Sequence, residues 1–276
     1  MRQVIRNPGI LFGTAVIVFL IFVAVFAGFI APHDPTETHL KDRLSSPSSK
    51  YPLGTDHLGR CILSRIIYGT RISLSVGVLV IGASLLLGLL LGTIAGYYGG
   101  IIDDLIMRIV DGFLAFPSMF LALAIAGALG PSLTNLMIAL IVVEWTSYAR
   151  VVRGSILSIK DQMFVEAARG LGAGDIYLLT RHVLPNILSP LIVMATLGVG
   201  YIILTAAGLS FLGLGVQPPT PEWGAMLNDG RLFMRSAPHI MIFPGLAIMI
   251  TVLAFNFLGD GLRDVMDPRL KQEVIE

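Results

Sequence analysis

The sequence predicts an all-α integral membrane protein with six transmembrane helices and a two-helix loop on the cytoplasmic side. Three observations carry this prediction: the composition, the long runs without a charged residue, and one patterned polar stretch between the fourth and fifth helices. Hydrophobic residues make up 55% of the 276 residues and charged residues 13%, whereas a soluble domain has roughly 25% charged residues. The mean hydropathy of +0.81 also favours a lipid environment.

The uncharged runs are long enough to span a bilayer, which takes about 20 mainly apolar residues. The first, second and last runs each predict one helix. The third is too long for one helix and breaks at Gly130-Pro131, so it predicts the ends of helices three and four. Glycines and prolines interrupt the second half of the fourth run, which leaves one helix at roughly 186–208. These runs cover residues 7–32, 72–102, 112–143, 183–221 and 240–259.

The chain divides into four parts if its N-terminus is cytoplasmic. They are an N-tail and first helix (1–32), an extracytoplasmic loop (33–71), a five-helix core (72–265) and a cytoplasmic C-tail (266–276). Eleven Lys and Arg residues then lie inside and eight outside, a weak positive-inside bias. Within the outer loop, the apolar residues of 62–74 recur at helical spacing opposite Arg65 and Arg71, which predicts a helix lying on the membrane interface.

Three charged residues fall within the predicted spans and need an explanation, because charge inside a bilayer is costly. Arg108 and Asp111 are three residues apart, which predicts a local ion pair on one helical face. For Glu144 two alternatives stay open: it lines a pathway, or it is paired or interfacial. Gly88, Gly92 and Gly96 form successive GxxxG patterns in the second span and predict close helix packing, with a hinge as the alternative.

The stretch 154–185 is too polar to span a membrane and too apolar to be a linker. Phe164, Ala168 and Leu171 form a one-sided apolar stripe, which predicts a short helix. A second short helix is predicted to begin at Asp175 and to end at Pro185. Two alternatives follow: the pair inserts into a groove on a partner, or it lies on the membrane surface.

Several functional classes lack their motifs. No lysine follows a glycine, so the chain has no phosphate-binding GxxxxGK[ST] loop, and HExxH, GxSxG and CxxC are also missing. We therefore expect no enzymatic activity. A net charge of +1 argues against nucleic-acid binding, and the single cysteine, Cys61, cannot supply a structural zinc site. No resident metal site and no bound cofactor are predicted.

The run EAARGLG, followed by RHVLPN, resembles the EAA loop of bacterial ABC importer permeases. Further segments, among them LGTDHLGR (53–60), MRIVDGFLAFP (107–117) and FLGLGVQPPTPEWGAML (211–227), are similar to the dipeptide, oligopeptide and nickel permease group. The resemblance implies a subunit of the bacterial inner membrane whose loop couples to cytoplasmic ATPases. The residues that match the loop pattern are Glu166, Ala167, Ala168, Gly172, Leu184 and Pro185.

The resemblance also implies the partners: a second homologous permease, two ATPase subunits that carry ATP and Mg, an extracytoplasmic solute-binding protein, and membrane lipid. Trp223, Met226 and Arg231 are expected to contact the solute-binding protein. The implied cargo is nickel, free or chelated, or small peptides, and the wording TDHLGR favours nickel. The alternative from another class is a secondary transporter or channel driven by an ion gradient.

Four histidines on the predicted outer side leave two further alternatives. They either make transient contacts with a metal ion or are ordinary polar residues, because their spacing fits no fixed metal site. These residues are His33, His39, His57 and His239.

Overall fold

The computed structural model of the chain describes residues 7–266 and shows an all-helical bundle over that range. The predicted C-tail therefore lies outside the described residues except for Met266, as do the first six residues of the N-tail. The helices are α1 (Pro8–Val25), α2 (Ala27–Ile30), α3 (Ile62–Tyr98), α4 (Gly100–Leu114), α5 (Ser118–Leu129), α6 (Leu133–Ile159), α7 (Met163–Gly170), α8 (Asp175–Leu178), α9 (Leu184–Phe211), α10 (Trp223–Gly230) and α11 (His239–Met266). Short 3-10 turns cover Leu40–Asp42 and Arg231–Phe233, and a π turn covers Leu179–Val183.

Five of the described helices are long and apolar enough to cross a membrane: α1, α3, α6, α11 and the continuous helix Asp175–Phe211. A sixth crossing comes from α4 and α5, which pass the same test together but meet at 88°. The all-α, six-helix prediction is therefore confirmed, with one span broken. The turn that separates it from α6 falls at Gly130-Pro131, as predicted, and Gly130 has φ +88°.

The centre of the bundle is the pair α3 and α6, which pack closely along the predicted glycine stripe. A Cβ on Gly88 would come within 2.4 Å of the Tyr148 Cβ, and one on Gly92 within 2.5 Å of the Ala149 carbonyl oxygen. Only glycine lets the two backbones approach this closely. The packing role predicted for the GxxxG patterns is thus confirmed.

The predicted interfacial helix at 62–74 is wrong. These residues form the first turns of α3, which runs without a break from Ile62 to Tyr98, so the outer loop ends at Cys61. Arg65 is 2% exposed and pairs with Asp56 and Asp229. Periodicity could not show this, because the buried face of the helix is charged as well as apolar.

One end of the bundle is covered by residues 31–61 and 212–238, which we call the cap. The carboxylate of Asp56 accepts a hydrogen bond from the Arg60 guanidinium at 2.6 Å, and Arg60 reaches Asp229 at 3.0 Å. Both arginines of this cluster, Arg60 and Arg65, are almost fully buried. Because buried charges are tolerated only when they are paired and hydrogen-bonded, this four-charge cluster joins the two segments of the cap to the start of α3.

Candidate functional site

At the end of the bundle opposite the cap, α7 and α8 protrude as a compact loop. Val165 of α7 and Leu178 of α8 are fully buried, so the two short helices pack against each other and against the bundle. Three residues of the EAA pattern lie on α7: Glu166 and Ala167 are exposed and Ala168 is half-buried.

Gly172 lies just beyond the end of α7, in a Schellman motif. The Ala173 N–H donates to the Ala168 carbonyl oxygen at 3.1 Å, and the Gly172 N–H donates to that of Arg169 at 3.0 Å. This motif places its central residue in the left-handed region, and Gly172 has φ +89°. The glycine of the EAA pattern is thus set by backbone conformation, since no neighbouring atom lies where a side chain would begin.

The outer face of this loop is apolar and uncovered. Met163 is 86% exposed, Leu171 91% and Ile176 79%. Side chains of this size exposed together are typical of a surface that binds another molecule. The predicted stripe is only partly right, because Val165, which lies outside it, is the residue of α7 that is buried.

The predicted helix stop at Pro185 is wrong. The helix that begins at Asp175 continues through the π turn into α9 and reaches Phe211. Pro185 lies in the first turn of α9, where a missing N–H is tolerated, and the preceding π turn changes the backbone pairing just before it. Leu184 and Pro185 therefore join the loop rigidly to a span and do not end it.

Two contacts that sequence reasoning missed tie the loop to the end of α3. The Tyr97 hydroxyl donates to the Asp175 carboxylate at 2.7 Å, and Lys160 Nζ donates to the Gly96 carbonyl oxygen at 3.1 Å. Tyr97 lies 78 residues from Asp175, so no local pattern could indicate the pair.

The predicted ion pair between Arg108 and Asp111 is wrong. Asp111 pairs with Arg150 of α6, and Arg108 is exposed with no ion pair among residues 7–266. A second pair, Arg153 with Asp103, holds α4 against α6 in the same way, with the Arg153 Nη2 2.6 Å from the Asp103 carboxylate. The sequence correctly indicated that Asp111 needs a cationic partner, but this partner is Arg150 on the neighbouring helix α6 and not Arg108 on α4.

Glu144 lies near the middle of α6 and lines a chamber of about 260 Å³. The chamber lies where α4 breaks into α5, beside α6 and α9. Its other walls include Phe113, Leu114, Phe116, Ser118, Val143, Thr146, Ser147 and Tyr201. Of the two alternatives left open for Glu144, the described residues favour a lining position, since no cation of the described chain pairs with it.

The cap contradicts the surface role predicted for two residues. Trp223 is 0% exposed and Met226 3%, and the Trp223 indole donates to the Ile66 carbonyl oxygen at 3.2 Å. Both side chains are buried against the bundle and cannot contact a partner, whereas Arg231 is exposed.

Next to Trp223, the carboxylate of Glu222 caps the start of α10. Burial raises the pKa of Glu222, and the hydrogen bonds that its carboxylate accepts from the Gly224 and Ala225 N–H groups act in the opposite direction.

The outer histidines do not assemble. His57 stacks on Phe233, His33 packs on Tyr51, and His239 is buried beside the Thr55 carbonyl oxygen. Within residues 7–266 no three His, Cys, Asp or Glu side chains are grouped so as to hold a metal ion.

Comparison with known proteins decides the family. The model described as "Binding-protein-dependent transport system inner membrane component" matches residues 88–272, more than half of the chain. The chain belongs to this family. A further model, the N-terminal transmembrane domain of oligopeptide transport permease C, matches residues 1–47. The protein is thus a multi-pass permease of the ABC importer type, and the resemblance drawn from the sequence is confirmed.

Two relatives are similar in sequence to this permease over nearly its whole length. The dipeptide transport system permease protein DppC of Alkalihalophilus pseudofirmus is 47% identical over 98% of this chain and 89% of its own length. The glutathione transport system permease protein GsiD of Pectobacterium atrosepticum is 48% identical over 92% of this chain and 85% of its own length. Both are permeases of peptide transport systems.

Among solved structures, the inward-facing MetNI methionine ABC transporter, in a crystal soaked with selenomethionine, matches with a TM-score of 0.62 at 19% identity. The match covers 75% of this chain and 98% of that one. At this identity the likeness supports the fold of the permease and nothing further.

Proposed function

We propose that the chain is the permease subunit of an ATP-driven importer that carries small peptides across the cytoplasmic membrane of a bacterium. The observation that carries the proposal is the loop of α7 and α8. It presents an uncovered apolar face and the matched EAA residues on a rigid extension of α9. Such a face is suited to fit a groove on a partner, and in this family the partner is an ATPase.

The complete transporter then needs subunits that this chain does not supply. They are a second related permease, two ATPase subunits that bind ATP and Mg, and a solute-binding protein on the outer side. Exposed Arg231 remains available for contact with that protein, while Trp223 and Met226 act inside the cap. The chain contains no phosphate-binding loop, which supports assigning ATP binding and hydrolysis to the separate ATPase subunits.

Peptides are a better cargo than nickel. The relatives that share about half of their residues with this chain are named as permeases of dipeptide and glutathione transport systems. In addition, three of the outer histidines lie in separate packing contacts: His33, His57 and His239. The ion-gradient alternative has little support. Such a transporter would use carboxylates within the membrane, such as Asp111 and Glu144, and Asp111 is already paired with Arg150.

The test is uptake by the assembled complex and its solute-binding protein in proteoliposomes. Radiolabelled Ala-Ala and radiolabelled nickel, with and without a chelator, are compared in the presence of ATP or a non-hydrolysable analogue. We expect Ala-Ala to accumulate only with hydrolysable ATP. Accumulation of nickel alone would overturn the peptide cargo, and uptake driven by an ion gradient without ATP would overturn the importer mechanism.

A further inference from the structure

Glu144 is an ionisable residue deep within a span. It lies about 16 Å along α6 from Leu133 and about 22 Å from Ile159, at a rise of roughly 1.5 Å per residue. A carboxylate at this depth is expensive unless a partner or a water-filled cavity accommodates it. Its position therefore needs a functional or structural reason.

Two carboxylates on α4 are paired with cations of α6, whereas Glu144 has no such partner among the described residues. Asp103 and Asp111 are neutralised by Arg153 and Arg150 of α6. Within residues 7–266, Glu144 has neither a cation within 4 Å nor a hydrogen-bond donor. Two acids of this region of the described chain thus lack a partner: Asp104, which is exposed on α4, and Glu144, which faces the chamber.

The chamber has the size and walls of a small binding site. Its volume of about 260 Å³ is just below the roughly 300 Å³ at which ligand pockets begin. Phe113, Phe116 and Tyr201 provide aromatic rings, and Ser118, Thr146 and Ser147 provide hydroxyls. The Ser118 and Tyr201 hydroxyls lie 3.1 Å apart and form a hydrogen bond that links α5 to α9 beside the chamber.

The chemistry of these walls suits a small organic cation. A carboxylate attracts a protonated amine, aromatic faces add cation–π attraction, and hydroxyls replace part of the hydration shell that the amine loses. Binding such a group also compensates for the cost of a buried, unpaired carboxylate.

We propose that Glu144 receives the protonated N-terminal amine of the peptide as it passes through the chamber. This rests on the proposed function, because it assumes that peptides are the cargo. The site is transient: one ion pair, aided by aromatic faces, holds the ammonium group but leaves it free to move on. A free amine is thereby selected inside the membrane.

The test compares the wild-type complex with Glu144→Gln, which keeps the shape of the side chain and removes its charge. Asp104→Asn is the matched control, since Asp104 is exposed on α4 and forms no ion pair among the described residues. At pH 7 we expect Glu144→Gln to lower kcat/KM for Ala-Ala uptake about tenfold. Asp104→Asn should stay within about twofold, and Glu144→Asp should recover part of the activity.

The pH dependence separates a cargo contact from a structural role. A peptide amine loses its proton near pH ~8, so the ratio of wild-type to Glu144→Gln uptake should fall towards one by pH 9. The same solute-binding protein serves both permeases, so its own pH dependence cancels in the ratio. Tyr201 is the other titratable residue lining the chamber in the described chain, and it too is common to both.

Three results would contradict the proposal. The first is equal uptake by wild type and Glu144→Gln at pH 7. The second is a ratio of wild-type to Glu144→Gln uptake that does not change with pH. The third is a failure of both Glu144→Gln and Glu144→Asp to co-purify with the partner subunits. Failure of the proposed function would look different, because the wild-type complex would then show no ATP-driven uptake of Ala-Ala at any pH.

Discussion

At the scale of single residues, backbone conformation explains why Gly172 matches the EAA pattern, whereas burial excludes the surface role predicted for Trp223. Gly172 matches the EAA pattern because the Schellman motif needs a left-handed residue after α7. Trp223 shows the opposite case. An aromatic residue in an outer segment suggested a contact surface, but its indole ring is enclosed by the bundle.

Replacing Gly172 by aspartate should weaken the association with the ATPase subunits, because φ +89° costs a side-chain-bearing residue about 1–2 kcal/mol. The measurement is co-purification of the complex, together with ATP-dependent uptake. Gly170→Ala is the control: Gly170 ends α7 within ordinary helical geometry and has open space around it. Full association and transport by Gly172→Asp would show that the loop conformation is not needed for docking.

At the scale of helices, the bundle depends on how closely backbones approach and on charges shared between helices. Close packing at the glycines of α3 was predictable because the GxxxG spacing is local to that helix. The partner of Asp111 was not, because it lies on α6, 39 residues further along the chain. Sequence spacing reports contacts within one helix and says little about which helices become neighbours.

Gly92→Val should destabilise the α3–α6 contact by about 1–3 kcal/mol or more, because the new side chain would overlap the α6 backbone at Ala149. Gly82→Val is a matched control on the same helix, where no atom lies within 4 Å of the added Cβ. Thermal unfolding of the purified permease in detergent measures both. A melting temperature lowered equally by the two substitutions would mean that the cost comes from the helix itself and not from its packing.

At the scale of the whole molecule, α3 links the two ends. Arg65 joins its first turns to the buried cap cluster, and Tyr97 joins its last turn to Asp175 of the loop. With 37 residues, α3 is about 55 Å long at the usual helical rise. It therefore exceeds the roughly 30 Å hydrocarbon core and provides a continuous path from the proposed receptor side to the proposed ATPase side.

Tyr97→Phe removes the hydroxyl that holds Asp175. It should reduce the stimulation of ATPase activity by the loaded solute-binding protein about two- to fivefold, because the lost hydrogen bond is exposed to solvent and worth about 0.5–1 kcal/mol. Basal ATPase activity should be retained, because the docking face is unchanged. Tyr98→Phe is the control, since the neighbouring hydroxyl makes no hydrogen bond in the described chain. Equal stimulation in both variants would show that the hydrogen bond between Tyr97 and Asp175 has no part in coupling.

The sequence by itself determined the all-α membrane fold, the number of spans, the turn at Gly130-Pro131, the glycine packing stripe and the two short helices that follow α6. Each of these depends on composition or on spacing within one segment. Tertiary structure alone decided the partners of the buried charges, the burial of Trp223 and Met226, the continuation of the helix through Pro185 and the chamber around Glu144. These features depend on which side chains meet across distant segments, and a short-range pattern carries no information about such contacts.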